Sequence, residues 1–177
     1  MKIVLQPMPQ PDDGVCIGTL DGAPLTYRDR ALHAGDRVVT MEQVGSAYVD
    51  AVDDAATRVL GHEWVSSLAR LMQINKRSTS RDRIFKFGLP EYVCLFLAEA
   101  AAHPHPRALG HALMCVEEIQ EAHTQARHST GRPSHIDLAG RDMDVRETLR
   151  RALAAVDEVL AERERFRARK ETPLTGE

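Results

Sequence analysis

The stretch Trp64-Val65-Ser66-Ser67-Leu68-Ala69-Arg70-Leu71-Met72-Gln73-Ile74-Asn75-Lys76-Arg77-Ser78-Thr79-Ser80-Arg81 has the order of residue types that a helix-turn-helix requires. The first helix of such a unit needs a small residue where its partner crosses closely, and Ala69 supplies it. Leu68, Met72 and Ile74 provide an apolar side, and Asn75 is a good N-cap for a second helix starting at Lys76. The outer face of that second helix has to be polar and basic. Between residues 70 and 86 stand Arg70, Lys76, Arg77, Arg81, Arg83 and Lys86 against one acid, Asp82, so six minus one gives +5. The whole chain carries a formal charge of −3, which leaves −8 for the remainder. A local basic footprint on an acidic protein suits a compact DNA-binding protein, and suits equally a protein with one solvated basic loop.

Read this way, the segment resembles the small helix-turn-helix domains of the Cro and Xre repressor class. The match is to a bacterial variant reading roughly G-x-x-W-x-x-x-L-A-R, then a Gly-Val-Ser turn, a basic recognition helix, a glycine and an Ile-Pro-like step. Gly61, Trp64, Leu68, Ala69, Arg70, Arg77, Arg81, Gly88 and Pro90 fall on that pattern without a gap, over roughly Val59 to Ala98. The chain departs from it in three places. Gln73 stands where the turn usually has glycine, Thr79 where the recognition helix has a β-branched apolar residue, and Asp82 where it has a large apolar one.

The resemblance implies sequence-specific binding of double-stranded DNA by a bacterial or phage-type transcription regulator, with no catalysis and no cofactor. Lys76, Arg77, Ser78, Ser80 and Arg81 would face the major groove, with Asn75 capping their helix. An arginine there can pair with guanine N7 and O6, worth about 1–3 kcal/mol of discrimination. Ser66 or Ser67, near the start of the first helix, would bond a phosphate. Arg70, Arg83 and Lys86 would neutralise phosphates. The alternative is a non-enzymatic helical protein that binds another protein, with residues 76–83 a solvated basic loop between buried helices.

Outward from this segment, the composition points to helices. Of the 177 residues 43% are hydrophobic but only 5% aromatic, so the core must be built largely from Leu, Val and Ala. The expected fold is mainly α, with a small β hairpin or sheet at residues 1–40. A helix-turn-helix domain follows over 41–102, then a C-terminal helical pair over 106–170, and residues 171–177 fray. Short β-prone runs occur at 3–5, 15–20, 25–27 and 37–40, separated by Asp21-Gly22 and Gly35-Asp36 turns. Such a sheet is too small to stand alone and should lean on the helices that follow. Thr40-Met41-Glu42-Gln43 fits a capping box opening an amphipathic helix that Gly61 stops or bends. Pro90 and Pro106 open two more helices, and residues 128–141 read as a loop. Asp144-Val145-Arg146-Glu147 is a second candidate capping box, near the start of a long charged helix.

In that last helix Leu149, Leu153, Val156 and Leu160 step by 4, 3 and 4, a short seam flanked by arginines and glutamates. It serves either a homodimer contact or packing against the helix that starts at Arg107. Other chemistry finds little support. His111 and Cys115 share a helical face but belong to no multi-ligand metal spacing, and the sequence lacks GxSxG, a Walker-type loop and GxGxxG. Glu117, Glu118 and Glu121 read as a solvated acidic face. Three scattered cysteines, no signal peptide and no apolar run of membrane length make the cytoplasm the expected compartment.

Overall fold

The structure, a computed structural model, describes residues 1–128 and 138–171. Five strands open the chain: β1 (Ile3–Leu5), β2 (Val15–Leu20), β3 (Ala23–Arg28), β4 (Ala31–Ala34) and β5 (Arg37–Val39). They pair antiparallel in sequence order, each with its chain neighbour. The chain is therefore mixed α/β, though predominantly helical, and the expectation of a mainly α fold with only a small hairpin or sheet is corrected. Two features hid the extra strand. β4 reads Ala-Leu-His-Ala, with two alanines that favour helices. The turn before it is Asp29-Arg30, both at positive φ, where a hairpin normally signals itself with glycine or asparagine.

Alternation along β2 to β5 turns Leu20, Leu25, Leu32 and Val39 into one core, and the bulge between Cys16 and Gly18 lets Ile17 join them. Gly18 sits at a register break in β2 with φ of 150°, and a Cβ there would run into the Val4 carbonyl of β1. The close β1–β2 approach thus depends on its missing side chain.

Among the described residues six α-helices follow: α1 (Met41–Leu60), α2 (Trp64–Leu71), α3 (Arg81–Phe87), α4 (Glu91–Ala102), α5 (Pro106–His128) and α6 (Leu138–Glu171). α1 begins with the expected capping box, in which the Thr40 amide donates to Gln43 Oε1 at 3.1 Å, and it ends at Gly61. Its buried stripe includes Val44, Tyr48, Val52, Ala55, Ala56 and Val59, the three- and four-residue steps of an amphipathic helix. The sheet packs against α1 and α4, so the strands do lean on the helices.

The chain divides into two compact units, Met1–Glu117 and Glu118–Glu177. In the first, the sheet and the helices share one core that also takes in Leu109 and Leu113 of α5. In the second, the end of α5 meets the start of α6: His123 bonds Asp144 at 2.7 Å, and Arg141 donates to Gln120 at 3.0 Å. Asp144 lies inside α6, so it is no N-cap. Glu147 turns instead to Arg150 and Arg151, which hold its carboxyl down at about 2. Of the expected loop, 129–137 lie outside the described residues and 138–141 are helical. Residues 172–177 of the expected frayed tail also lie outside them.

Three polar side chains cross the first core. The Tyr27 hydroxyl lies 3.0 Å from that of Tyr48, which lies 2.9 Å from Cys94 Sγ. This chain links β3, α1 and α4. Burial pushes the Cys94 thiol up to about 12 and Tyr27 to about 12, and raises Tyr48 as well. Unfolded, the thiol titrates near 9.0 and the phenols near 10.0, so at alkaline pH the unfolded chain binds fewer protons than the native one. Folding stability should be unaffected by these groups below pH 9 and fall between pH 9 and 12. Urea midpoints measured across that range test this, and in Cys94→Ala the fall should begin nearer pH 10.

Candidate nucleic-acid interface

α2 buries Trp64, Leu68 and Ala69 and ends at Met72. Gln73 then takes φ of 52°. The Ile74 amide reaches back to the Ala69 carbonyl at 3.0 Å, and the Gln73 amide to the Arg70 carbonyl at 3.1 Å. These two bonds form a Schellman closure, which places its turning residue in the left-handed region. Glutamine thus takes a backbone conformation that usually falls to glycine.

Past the turn, Asn75 caps as expected, its Oδ1 accepting from the Arg77 amide at 2.8 Å. The continuous recognition helix expected from Lys76 is corrected. Lys76–Thr79 form a single 3-10 turn, Ser80 is extended at ψ of 143°, and α3 starts afresh at Arg81. The cause lies in the side chains. The Thr79 hydroxyl sits 2.8 Å from the Lys76 carbonyl, and Ser80 Oγ donates to the Arg77 carbonyl at 2.9 Å. Hydroxyls take the carbonyls that an α-helix would offer to later amides. Thr79 is fully buried, and its hydroxyl also lies 2.9 Å from the Val65 carbonyl of α2. It therefore packs as a core residue, with its polar atom satisfied.

α3 packs through Ile84 onto α1, where Gly45 gives it room: a Cβ at Gly45 would lie 2.6 Å from the Phe85 carbonyl. Asp82 is exposed in the first turn of α3, where a carboxylate meets the positive end of the helix.

The basic residues divide into two groups. Arg81 is held by Asp53 of α1 at 2.7 Å, on the same oxygen that accepts from Trp64 Nε1 at 2.8 Å. Arg70 pairs with Glu117 at 3.0 Å. By contrast Lys76, Arg77, Arg83 and Lys86 are exposed, and no carboxylate among the described residues lies within ion-pair distance of them. Ser67, Ser78 and Ser80 are half-buried beside them. Arg83 lies over the Phe87 ring, 4.4 Å from its centroid. Reading the sequence missed Asp53, which lies outside the basic segment, and the exposed aromatics Phe85, Phe87 and Tyr92. The four-residue spacing from Arg83 to Phe87 was the available signal for the stacked pair.

Elsewhere the chemistry is sparse. Cys94 is buried and its thiol is held protonated. Among the described residues, no three His, Cys, Asp or Glu side chains gather as metal ligands. Among the same residues, no helix is long and apolar enough to cross a membrane. Comparison with known proteins finds no matching family model, no matching curated protein and no matching solved structure.

Two measurements probe the local design. A left-handed non-glycine residue costs about 1 kcal/mol, so Gln73→Gly should raise unfolding stability by about that much. Asp53→Ala strands the buried Trp64 N–H and should cost about 1–3 kcal/mol, whereas Arg81→Ala, removing a largely exposed pair, should cost less than about 1 kcal/mol. Trp64 is the single tryptophan, so its fluorescence reports all three unfolding curves.

Proposed function

We propose that the chain binds double-stranded DNA through the turn between α2 and α3, acting as a homodimeric transcription regulator in the cytoplasm. The observation that carries this reading is the left-handed Gln73 followed by the Asn75 cap, which presents Lys76 and Arg77 at an exposed leading edge. A basic first turn held on a preceding helix is what a recognition element offers to a groove. The readers are then Lys76 and Arg77, with Ser78 beside them. Arg83 and Lys86 neutralise phosphates. Arg70 and Arg81 serve the fold through Glu117 and Asp53. The site is narrower than the run of six cations suggests.

A second reading has its own observation. Phe85, Phe87 and Tyr92 are exposed around α3, where a DNA-facing helix usually carries polar residues, and such a patch suits a protein partner.

Fluorescence anisotropy with a mixed-sequence duplex at about 50 and 200 mM salt separates the two. A homodimer with Arg83 and Lys86 of each protomer on phosphates should lose on the order of 10²-fold in affinity across that range. Lys76→Ala/Arg77→Ala should abolish binding without unfolding the chain, while Arg81→Ala should leave affinity nearly intact. No binding at the lower salt by folded protein overturns the DNA reading in favour of the protein partner.

A further inference from the structure

α6 carries an apolar face that no described residue of its own unit covers. Leu149, Leu153, Val156, Val159 and Leu160 are between 44 and 67% exposed. With Ala152 they span an arc of roughly 120° at about 100° per residue. Asp144, Thr148 and Arg151, which meet α5 or line the hollow beside it, lie roughly a third of a turn from the middle of the seam, and Arg141, which bonds Gln120, stands about two turns before its first residue. Packing within the unit therefore leaves the seam open, and a long helix in water does not leave such a stripe uncovered without a partner.

The charges beside the seam identify the occupant. Laid parallel and in register against a second copy, Arg150 would face Val145 of that copy and Asp157 would face Ala152, so neither charge finds a counter-ion. Laid antiparallel about a point midway between Ala154 and Ala155, Leu149 meets Leu160, and Leu153 meets Val156. Arg150 then meets Asp157 on one flank, and Ala152 meets Val159 on the other. The two-fold axis makes each of these contacts twice. Arg150 bonds Glu147 within its own helix at 2.8 Å and would exchange that contact for Asp157 across the axis, leaving Glu147 to Arg151 at 2.7 Å. Arg146 and Arg163 bracket the seam in either arrangement and limit it to about two heptads.

The geometry points to an antiparallel homodimer closed by α6, with Leu149–Leu160 and Leu153–Val156 as its core and paired Arg150–Asp157 bridges fixing its direction. This orientation rests on the homodimer reading above but is independent of DNA binding.

The test uses the full chain with Cys115→Ser, since Cys16 and Cys94 are buried. Leu149→Cys and Leu160→Cys proteins, one carrying a size tag, are mixed and treated with a short thiol-to-thiol cross-linker. The expected product links the two different variants, and neither variant links efficiently to itself. Efficient self-linking of each variant, with a dimer mass in light scattering, overturns the antiparallel register while leaving the homodimer standing. A mass of 19.7 kDa at every concentration overturns both. Charge reversal supplies a second readout: Arg150→Glu should raise the dimer Kd about tenfold, since two bridges become repulsions, and adding Asp157→Arg to the same chain should restore it. A double variant that stays as weak as the single one overturns the register.

Discussion

Everything in the first unit is built against one helix, α1, which takes the sheet, α2, α3 and α4 as neighbours. A twenty-residue helix with so many neighbours can afford few polar atoms on its buried side, and each must be answered. Tyr48 is answered by Tyr27 and Cys94. Asp53, at the margin of the core, is answered by the indole of Trp64 and the guanidinium of Arg81. That carboxylate joins three helices at one oxygen. A half-buried carboxylate with two donors fixes the start of α3 relative to α2 more tightly than apolar contact alone, because a hydrogen bond demands direction as well as distance.

The same constraint decides what the basic segment is left to do. A run of six cations reads in the sequence as one patch, yet two of them complete ion pairs with acids from distant parts of the chain. The exposed remainder falls on the 3-10 turn and the outer side of α3, separated by the extended Ser80. Such a surface is broader and less regular than a single helix laid along a groove. It mixes point charges with aromatic rings, Arg83 resting on Phe87.

The helices were legible where local chemistry announced them. Thr40 and Gln43 mark the start of α1, Pro90 and Pro106 precede α4 and open α5, and the buried positions of α1 repeat at helical spacing. The turn at Gln73 was legible only through its neighbours, since glutamine gives no hint of a left-handed backbone. What failed to show was whatever depends on distant partners. β4 has two alanines and a glycine-free turn, and is a strand because β3 and β5 flank it. The break at Ser80 comes from hydroxyls competing for carbonyls, which composition suggests but does not place. Asp53 carries no signal of its own in the sequence, and only the fold brings Trp64 and Arg81 to it.

The strand order carries a kinetic consequence. Because every strand pairs with its immediate neighbour, each ladder closes a short loop, and the chain entropy lost in each closure is small. A meander of this kind can assemble hairpin by hairpin, without waiting for remote segments to find one another. The apolar face it creates is then a template on which α1 and, much later in the sequence, α4 condense. The slow step in forming the first unit would be the docking of α4, whose separation from β1 and β2 is the longest that the sheet's packing demands.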